Sequence, residues 1–200
     1  MAIAGSLPQQ FDPRQRALAG LEVLRHGLPE LPQVLTYEMS VPVASWTSAA
    51  CAVVLFLHYS RPPGETPHPV VSQGSYYRDG DRWRAHPHWA GSGWSHDPIS
   101  APGDLRDLGG RAIVAGGGSF TDQPRPGHPA ITVTGRVSPA VTAIALVHHG
   151  WEDRRLLRSH FGAWVVCLEQ WSPYQVKALD RAGAMIGSVR GRLALPSRPR

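Results

Sequence analysis

The densest group of aromatic and polar side chains lies in residues 82–97, which hold three tryptophans and three histidines. An indole ring offers a flat apolar face on which a sugar, a nucleobase or a protein side chain can stack. Trp83, Trp89 and Trp94, with His96 beside them, are therefore the predicted binding residues. A loop of this length also needs a small core of its own, which favours the alternative that the indoles anchor it to the protein.

The same segment contains a candidate metal site. His86 and His88 are two residues apart, and in a strand this spacing puts both imidazoles on one face. His96 could supply a third nitrogen, so a divalent transition metal bound by these three histidines is the alternative to a binding surface. Pro87 interrupts the strand, and no glutamate follows at the spacing of cupin sites. The default expectation is therefore no cofactor and no catalytic residue.

Three other patterns favour structure over catalysis. Residues 95–97 are the Ser, His and Asp of a hydrolase triad, but a triad is built from residues that are separated in sequence. The three glycines at 116–118 lack the lysine of a phosphate-binding loop, which predicts a flexible turn. Cys51 and Cys167 each lie inside an apolar run, so both are expected to be buried, reduced thiols.

The net charge of +5 comes from 20 basic and 15 acidic residues. Four of the positive charges belong to arginines at the end of the sequence, Arg190, Arg192, Arg198 and Arg200. Such a segment can attract a polyanion weakly, but sequence-specific recognition needs positioned base contacts. We therefore expect no specific nucleic-acid binding, and a disordered basic tail over 190–200.

The first ten residues have neither the basic nor the apolar region of a secretion signal, which predicts a cytoplasmic protein. The strongest apolar run covers residues 49–57, whereas a membrane helix needs about 20 apolar residues. No membrane span is expected.

The 19 prolines exclude a helical bundle, because interior proline costs about 3 kcal/mol of helix stability. One helix is predicted from Pro13 to Gly27, with a stripe of apolar residues: Leu18, Leu21, Val23 and Leu24. Alternation over residues 35–41 predicts a half-buried strand. Residues 51–59 are apolar on both faces and predict a central strand, and 75–86 predict a hairpin around Gly80.

Residues 87–110 and 116–130 are expected to be long loops around a short strand at 111–115. Five further strands are predicted, at 131–137, 141–148, 161–168, 174–179 and 185–189. The charged residues at 150–155 are expected to form a solvated loop.

The second half also carries a recognisable pattern. Its parts are a Gly-x-Val strand ending in a Pro turn at 135–139, the apolar run 140–147, the Phe-Gly-Ala-Trp at 161–164 and an Asp-x-x-Gly hairpin at 180–183. This pattern resembles an immunoglobulin-like β-sandwich seen in uncharacterised actinobacterial proteins, over residues 131–190. The resemblance implies a fold and no catalytic residues.

The sequence therefore predicts a mainly β protein: an antiparallel immunoglobulin-like sandwich with one amino-terminal amphipathic helix and long loops rich in Gly, Pro and Trp. Residues 1–32 form a tail and helix, 33–189 a β-rich body that could divide into 33–115 and 131–189, and 190–200 the basic tail. The predicted function is a non-catalytic binding or assembly module with a protein partner or a second copy of itself. A metal-dependent enzyme built on residues 86–97 is the alternative.

Overall fold

The computed structural model describes residues 13–32, 39–60, 68–86, 108–120, 127–158 and 161–191, which contain one helix and eleven strands. The helix is α1 (Pro13–His26). The strands are β1 (Ser40–Thr47), β2 (Cys51–Ser60), β3 (His68–Asp79), β4 (Arg82–Ala85), β5 (Ile113–Phe120), β6 (Ile131–Val137), β7 (Ala143–His148), β8 (Trp151–Leu156), β9 (Ala163–Leu168), β10 (Tyr174–Leu179) and β11 (Met185–Gly191).

The strands form three sheets, and every strand pairing in the described residues is antiparallel. The first sheet has the order β1-β2-β3-β4, the second β5-β6-β9 and the third β11-β10-β7-β8. The prediction of a mainly β protein with one helix is confirmed.

Strand β2 buries both of its faces, as its composition predicted. Val53 and Leu55 point into the main core, where they meet residues of the second and third sheets. Val54 and Phe56 point the other way, into a smaller core with Val23 of α1. The first sheet is thus covered by the helix on one face and by the other strands on the opposite face.

The main core draws on strands from both ends of the sequence. It joins residues of β1 and β2 to residues of β6, β7, β9 and β10. Every residue of β9 is buried, and this strand lies against β1 and β2. The tertiary contacts therefore connect segments that are more than a hundred residues apart in sequence.

Helix α1 ends where the sequence predicted. Gly27 has φ of +86° and its N–H donates to the Val23 carbonyl at 2.8 Å, which is the left-handed cap that glycine favours. The predicted apolar stripe is only partly buried: Leu21 and Leu24 pack beside Val23 on the smaller core, but Leu18 is 64% exposed.

Two loop predictions are wrong. The glycines at 116–118 lie inside β5, because glycine lets this strand approach β6 closely; a Cβ on Gly118 would lie 2.5 Å from the Thr132 carbonyl oxygen. A bulge between Ala115 and Gly117 accommodates Gly116 as the extra residue. The charged residues at 150–155 were expected to form a solvated loop. Residues 151–155 instead belong to strand β8, which pairs with β7 at the edge of the third sheet.

The remaining strand boundaries differ from the predictions by up to seven residues, as in β3, which begins at His68 and not at Ser75. β1 begins at Ser40 and runs through Trp46 to Thr47, whereas residues 33–38 lie outside the described part. β11 continues through Gly191, which pairs with Tyr174, so the strand includes the first residues assigned to the basic tail. β6 and β10 match their predicted bounds.

The predicted hairpin around Gly80 is present between β3 and β4, and Gly80 has φ of +59°. Within the described residues, α1 is too short to cross a bilayer and no other helix is found.

Candidate functional site

A cleft with a volume of about 460 Å³ opens where three connections between strands converge. These connections are the β1–β2 turn at residues 48–50, the β7–β8 turn at 149–150 and the β9–β10 connection at 169–173. Strands of all three sheets supply its walls. The cleft therefore exists only when the sheets have assembled.

The β7–β8 hairpin forms one wall of the cleft. Its two turn residues, His149 and Gly150, have φ of +48° and +79°, the pattern of a type I′ turn. In the described part of the chain His149 alone among non-glycine residues has a positive φ. The turn is followed by Trp151, whose side chain lines the cleft and is 76% exposed. The wall thus presents an indole face to solvent beside two imidazoles, those of His148 and His149.

The Glu169 carboxylate ties two of the three connections together. Its Oε1 accepts a hydrogen bond from the Ser48 hydroxyl at 2.5 Å and another from the Ala50 N–H at 2.7 Å. A charged acceptor strengthens both bonds. Glu169 therefore fixes the β1–β2 turn against the end of β9.

Arg155 of β8 fixes the remaining wall. Its Nη2 donates to the Thr47 carbonyl at 2.7 Å, and its Nη1 donates to the Thr47 hydroxyl at 3.1 Å. The guanidinium lies 4.0 Å from the centre of the Trp46 ring, a cation–π distance, and it also pairs with Asp153 at 2.8 Å. The third sheet is thereby joined to β1 at the cleft.

A pair of free thiols lies next to the cleft. Cys167 lines the cleft, and its Sγ lies 4.0 Å from the Sγ of Cys51, which is fully buried behind it. The expectation that both cysteines are buried is confirmed. A hydrogen bond from Cys167 favours thiolate on Cys51 and lowers the pKa of that thiol against the opposing effect of burial. The same contact, together with burial, raises the pKa of Cys167.

Of the predicted binding and metal residues, the structure describes two. Trp83 is partly buried and packs on the smaller core near α1, with the Arg78 guanidinium 5.4 Å from its ring centre. His86 is buried. The others, His88, Trp89, Trp94 and His96, lie outside the described residues.

The His86 imidazole is engaged with the segment that precedes β6. Its Nε2 lies 3.2 Å from the Gly127 carbonyl oxygen, and its ring stacks on His128 with centroids 3.7 Å apart. Burial lowers the pKa of His86, against the opposing effect of the Gly127 carbonyl. Among the described residues no group of three or more His, Cys, Asp or Glu side chains could hold a metal ion. Metal binding that also uses His88 and His96 stays a prediction.

The cleft was not predicted from the sequence, although two local signals for it exist. The alternation of Trp151, Asp153 and Arg155 with intervening polar residues is a strand pattern with charges on both faces, typical of an edge strand. The His-Gly pair at 149–150 has the turn chemistry of a two-residue hairpin. The positions of Trp46 and Glu169 beside this hairpin have no local signal, because they depend on how the sheets pack.

No described protein family, no curated protein and no solved structure matches this chain.

Proposed function

We propose that this protein is a non-catalytic binding module that holds a carbohydrate in the cleft beside Trp151. The observation that carries the proposal is the exposure of Trp151: a large indole that is 76% exposed at the mouth of a 460 Å³ cleft. Volumes of about 300–1,000 Å³ are usual for small-molecule sites. A solvent-exposed indole at the opening of a cleft of this size is well suited to stack on a ligand.

The chemistry of the lining favours a sugar over a purely apolar ligand. A pyranose has one face rich in C–H groups, which packs on an indole, and hydroxyls around its edge that both donate and accept hydrogen bonds. The polar groups beside Trp151 offer the complementary set: imidazoles of His148 and His149, the carboxamide of Gln170 and the carboxylate of Glu169. Among the described residues, the lining contains no arginine or lysine, the side chains that would favour a phosphate.

The two carboxylates of the lining support binding over hydrolysis. Glu169 accepts bonds from Ser48 and Ala50, and Asp153 is paired with Arg155 at 2.8 Å. Glycosidases instead need one carboxyl that donates a proton and a second that acts as nucleophile or base. Glu169 holds the β1–β2 turn in place and Asp153 pairs with Arg155 of its own strand, so both carboxylates already have structural partners, and this favours a static site.

The proposal is tested by titrating the purified chain with a panel of neutral mono- and oligosaccharides, using isothermal calorimetry and tryptophan fluorescence. We expect at least one saccharide to bind, and Trp151→Ala to weaken its affinity at least tenfold, about 1.4 kcal/mol. The matched control is Leu156→Ala, because Leu156 lies on the same strand with 73% exposure but does not line the cleft. It should leave the affinity unchanged. Absence of binding across the panel, or equal losses in the two variants, would overturn the proposal.

A second contact surface belongs to the same proposal. We infer that the Trp- and His-rich segment, with Trp89, Trp94 and His96, contacts a protein partner or a second copy of the chain in the cytoplasm. Crosslinking of wild type against Trp89→Ala and Trp94→Ala tests this surface, and identical crosslinked products in all three would exclude it.

We also propose that the β-rich body is an immunoglobulin-like sandwich, which an experimental structure would test.

A further inference from the structure

We propose that Cys51 and Cys167 are a reversible oxidation site, in which the two thiols form a disulfide that joins β2 to β9 next to the cleft. This inference is independent of carbohydrate binding, because it rests on the geometry of the two thiols and on the position of Cys167 at the cleft. The two residues are separated by 116 positions in sequence, and the packing of the first sheet against the second brings their sulfurs to 4.0 Å.

The distance is short enough for a bond after a small movement. A disulfide has an S–S length of about 2.05 Å, so the sulfurs need to approach by about 2 Å, which rotation about the Cα–Cβ bonds of two side chains can supply. Both residues lie on strands, which hold their backbones in place. The pair is therefore preorganised by the fold for an intramolecular link.

The surroundings of the pair are polar on one side. Ser48 Oγ lies 3.2 Å from the Cys51 Sγ, and Cys167 Sγ lies 3.9 Å from the Trp46 carbonyl oxygen. Either thiol of the pair can donate to the other. A thiolate on one sulfur is thus stabilised by its neighbour, and thiolate is the form that reacts with oxidants.

The cleft gives a small oxidant a path to the pair, because Cys167 is among the residues that line it. With hydrogen peroxide as the oxidant, the Cys51 thiolate, which the hydrogen bond from Cys167 favours, attacks one peroxide oxygen; an S–O bond forms, the O–O bond breaks, and hydroxide leaves with the electron pair and becomes water by taking up the proton that the Cys51 thiol released. Cys167 then attacks the Cys51 sulfur, forming the S–S bond as the hydroxyl leaves and takes up the Cys167 proton. Two thiols are oxidised, and one peroxide is reduced to two waters.

The experiment treats the folded, reduced chain with a small excess of hydrogen peroxide and measures intact mass and free thiols after denaturation. We expect a monomer lighter by two hydrogens, no remaining free thiol, a single linked peptide pair containing Cys51 and Cys167, and full recovery of both thiols with dithiothreitol. Cys51→Ser and Cys167→Ser, the matched variants, should each lose the link. If a variant fails to fold, the presence or absence of the linked Cys51–Cys167 peptide pair in the wild-type chain is sufficient to test the proposal.

Two results would overturn the proposal. One is a peroxide-treated wild-type chain that keeps both thiols. The other is a chain that gains oxygen atoms on its cysteines without forming the link.

Discussion

At the scale of single residues, Gly135 and Trp164 show how closely the second sheet is packed. The two residues are paired across β6 and β9, and the indole fills the space that a side chain on Gly135 would occupy. Trp164 is fully buried, and its Nε1 shares its hydrogen between the carbonyls of Val114 and Arg136, each at 3.2 Å. The absence of a side chain at 135 is thus what lets the buried indole reach its acceptors.

Gly135→Ala should destabilise the fold severely, because its Cβ would overlap the Val114 carbonyl oxygen and lie 2.7 Å from the Trp164 ring. We expect a loss of about 3 kcal/mol in the free energy of unfolding, measured by urea denaturation. Gly80→Ala is the comparison, because a Cβ there meets nothing within 4 Å and only the positive φ is penalised. Its cost should be about 1 kcal/mol. Equal costs would show that β6 can shift away from the indole.

His58 shows how burial of one histidine makes stability depend on pH. Burial lowers the pKa of His58 below 6.5, helped by the Arg16 charge and opposed by a hydrogen bond with the Tyr59 carbonyl. In the described residues its Nε2 is buried without a hydrogen-bond partner. The neutral imidazole is therefore the form that the folded protein accommodates.

Because the folded pKa is depressed, the unfolded chain binds more protons below pH 6.5 than the folded chain does. The free energy of unfolding should be highest above about pH 7 and fall as the pH drops towards about 5, with His86 acting in the same direction. His58→Gln should make this decline shallower in urea titrations at several pH values. A decline that persists unaltered in His58→Gln would assign it to other groups.

At the scale of elements, the β7–β8 hairpin combines an unfavourable turn residue with a place at the cleft. A type I′ turn requires positive φ at both turn positions, for which Asn-Gly is the preferred pair. His149 occupies the first of these positions with φ of +48°. Asparagine at position 149 would therefore make the turn more stable than histidine does. The His149 imidazole is thus a candidate for a role in ligand binding.

His149→Asn should raise the free energy of unfolding by about 0.5 kcal/mol, because asparagine tolerates the left-handed conformation better. The measurement is urea denaturation of the wild type and the variant in the same buffer. The same variant should weaken saccharide binding if the imidazole contacts the ligand. A fall in stability would mean that the His149 ring makes packing contacts that outweigh its backbone strain.

At the scale of the whole molecule, a few polar bridges fix the three sheets relative to one another around the apolar core. Arg155 joins β8 to β1 through two bonds to Thr47 and through the Trp46 ring. Glu169 joins the end of β9 to the β1–β2 turn. Because each bridge crosses between sheets at the cleft, the shape of the cleft depends on them.

Arg155→Ala should lower the free energy of unfolding by about 2 kcal/mol, from two lost charged hydrogen bonds and the lost cation–π contact. Arg154→Ala is the matched control, because Arg154 is the adjacent residue on the opposite face of β8 and is exposed. Its effect should stay within about 0.5 kcal/mol. Thermal or urea denaturation of both variants provides the comparison, and similar losses would argue against the bridge.

The sequence by itself determined the elements whose signals are local. Four predicted features that depend only on neighbouring residues are present in the structure. They are the strand β2 with two apolar faces, the bounds of β6 and β10, the hairpin at Gly80, and the end of α1 at Gly27. The errors arose where a local signal was outweighed by strand pairing. The glycines at 116–118 were predicted to be a turn, but they are held in β5 by its ladder with β6.

Only the tertiary structure decided where the candidate site lies. Trp46, Trp151, Cys167 and Glu169 come from strands and connections spread over more than a hundred residues, and nothing in their immediate sequence places them together. The cysteines were predicted to be buried from their apolar surroundings, but their 4.0 Å separation follows from the packing of β9 against β2. Periodicity fixes which face of a strand is apolar, whereas the neighbour that covers this face is chosen by the packing of the whole chain.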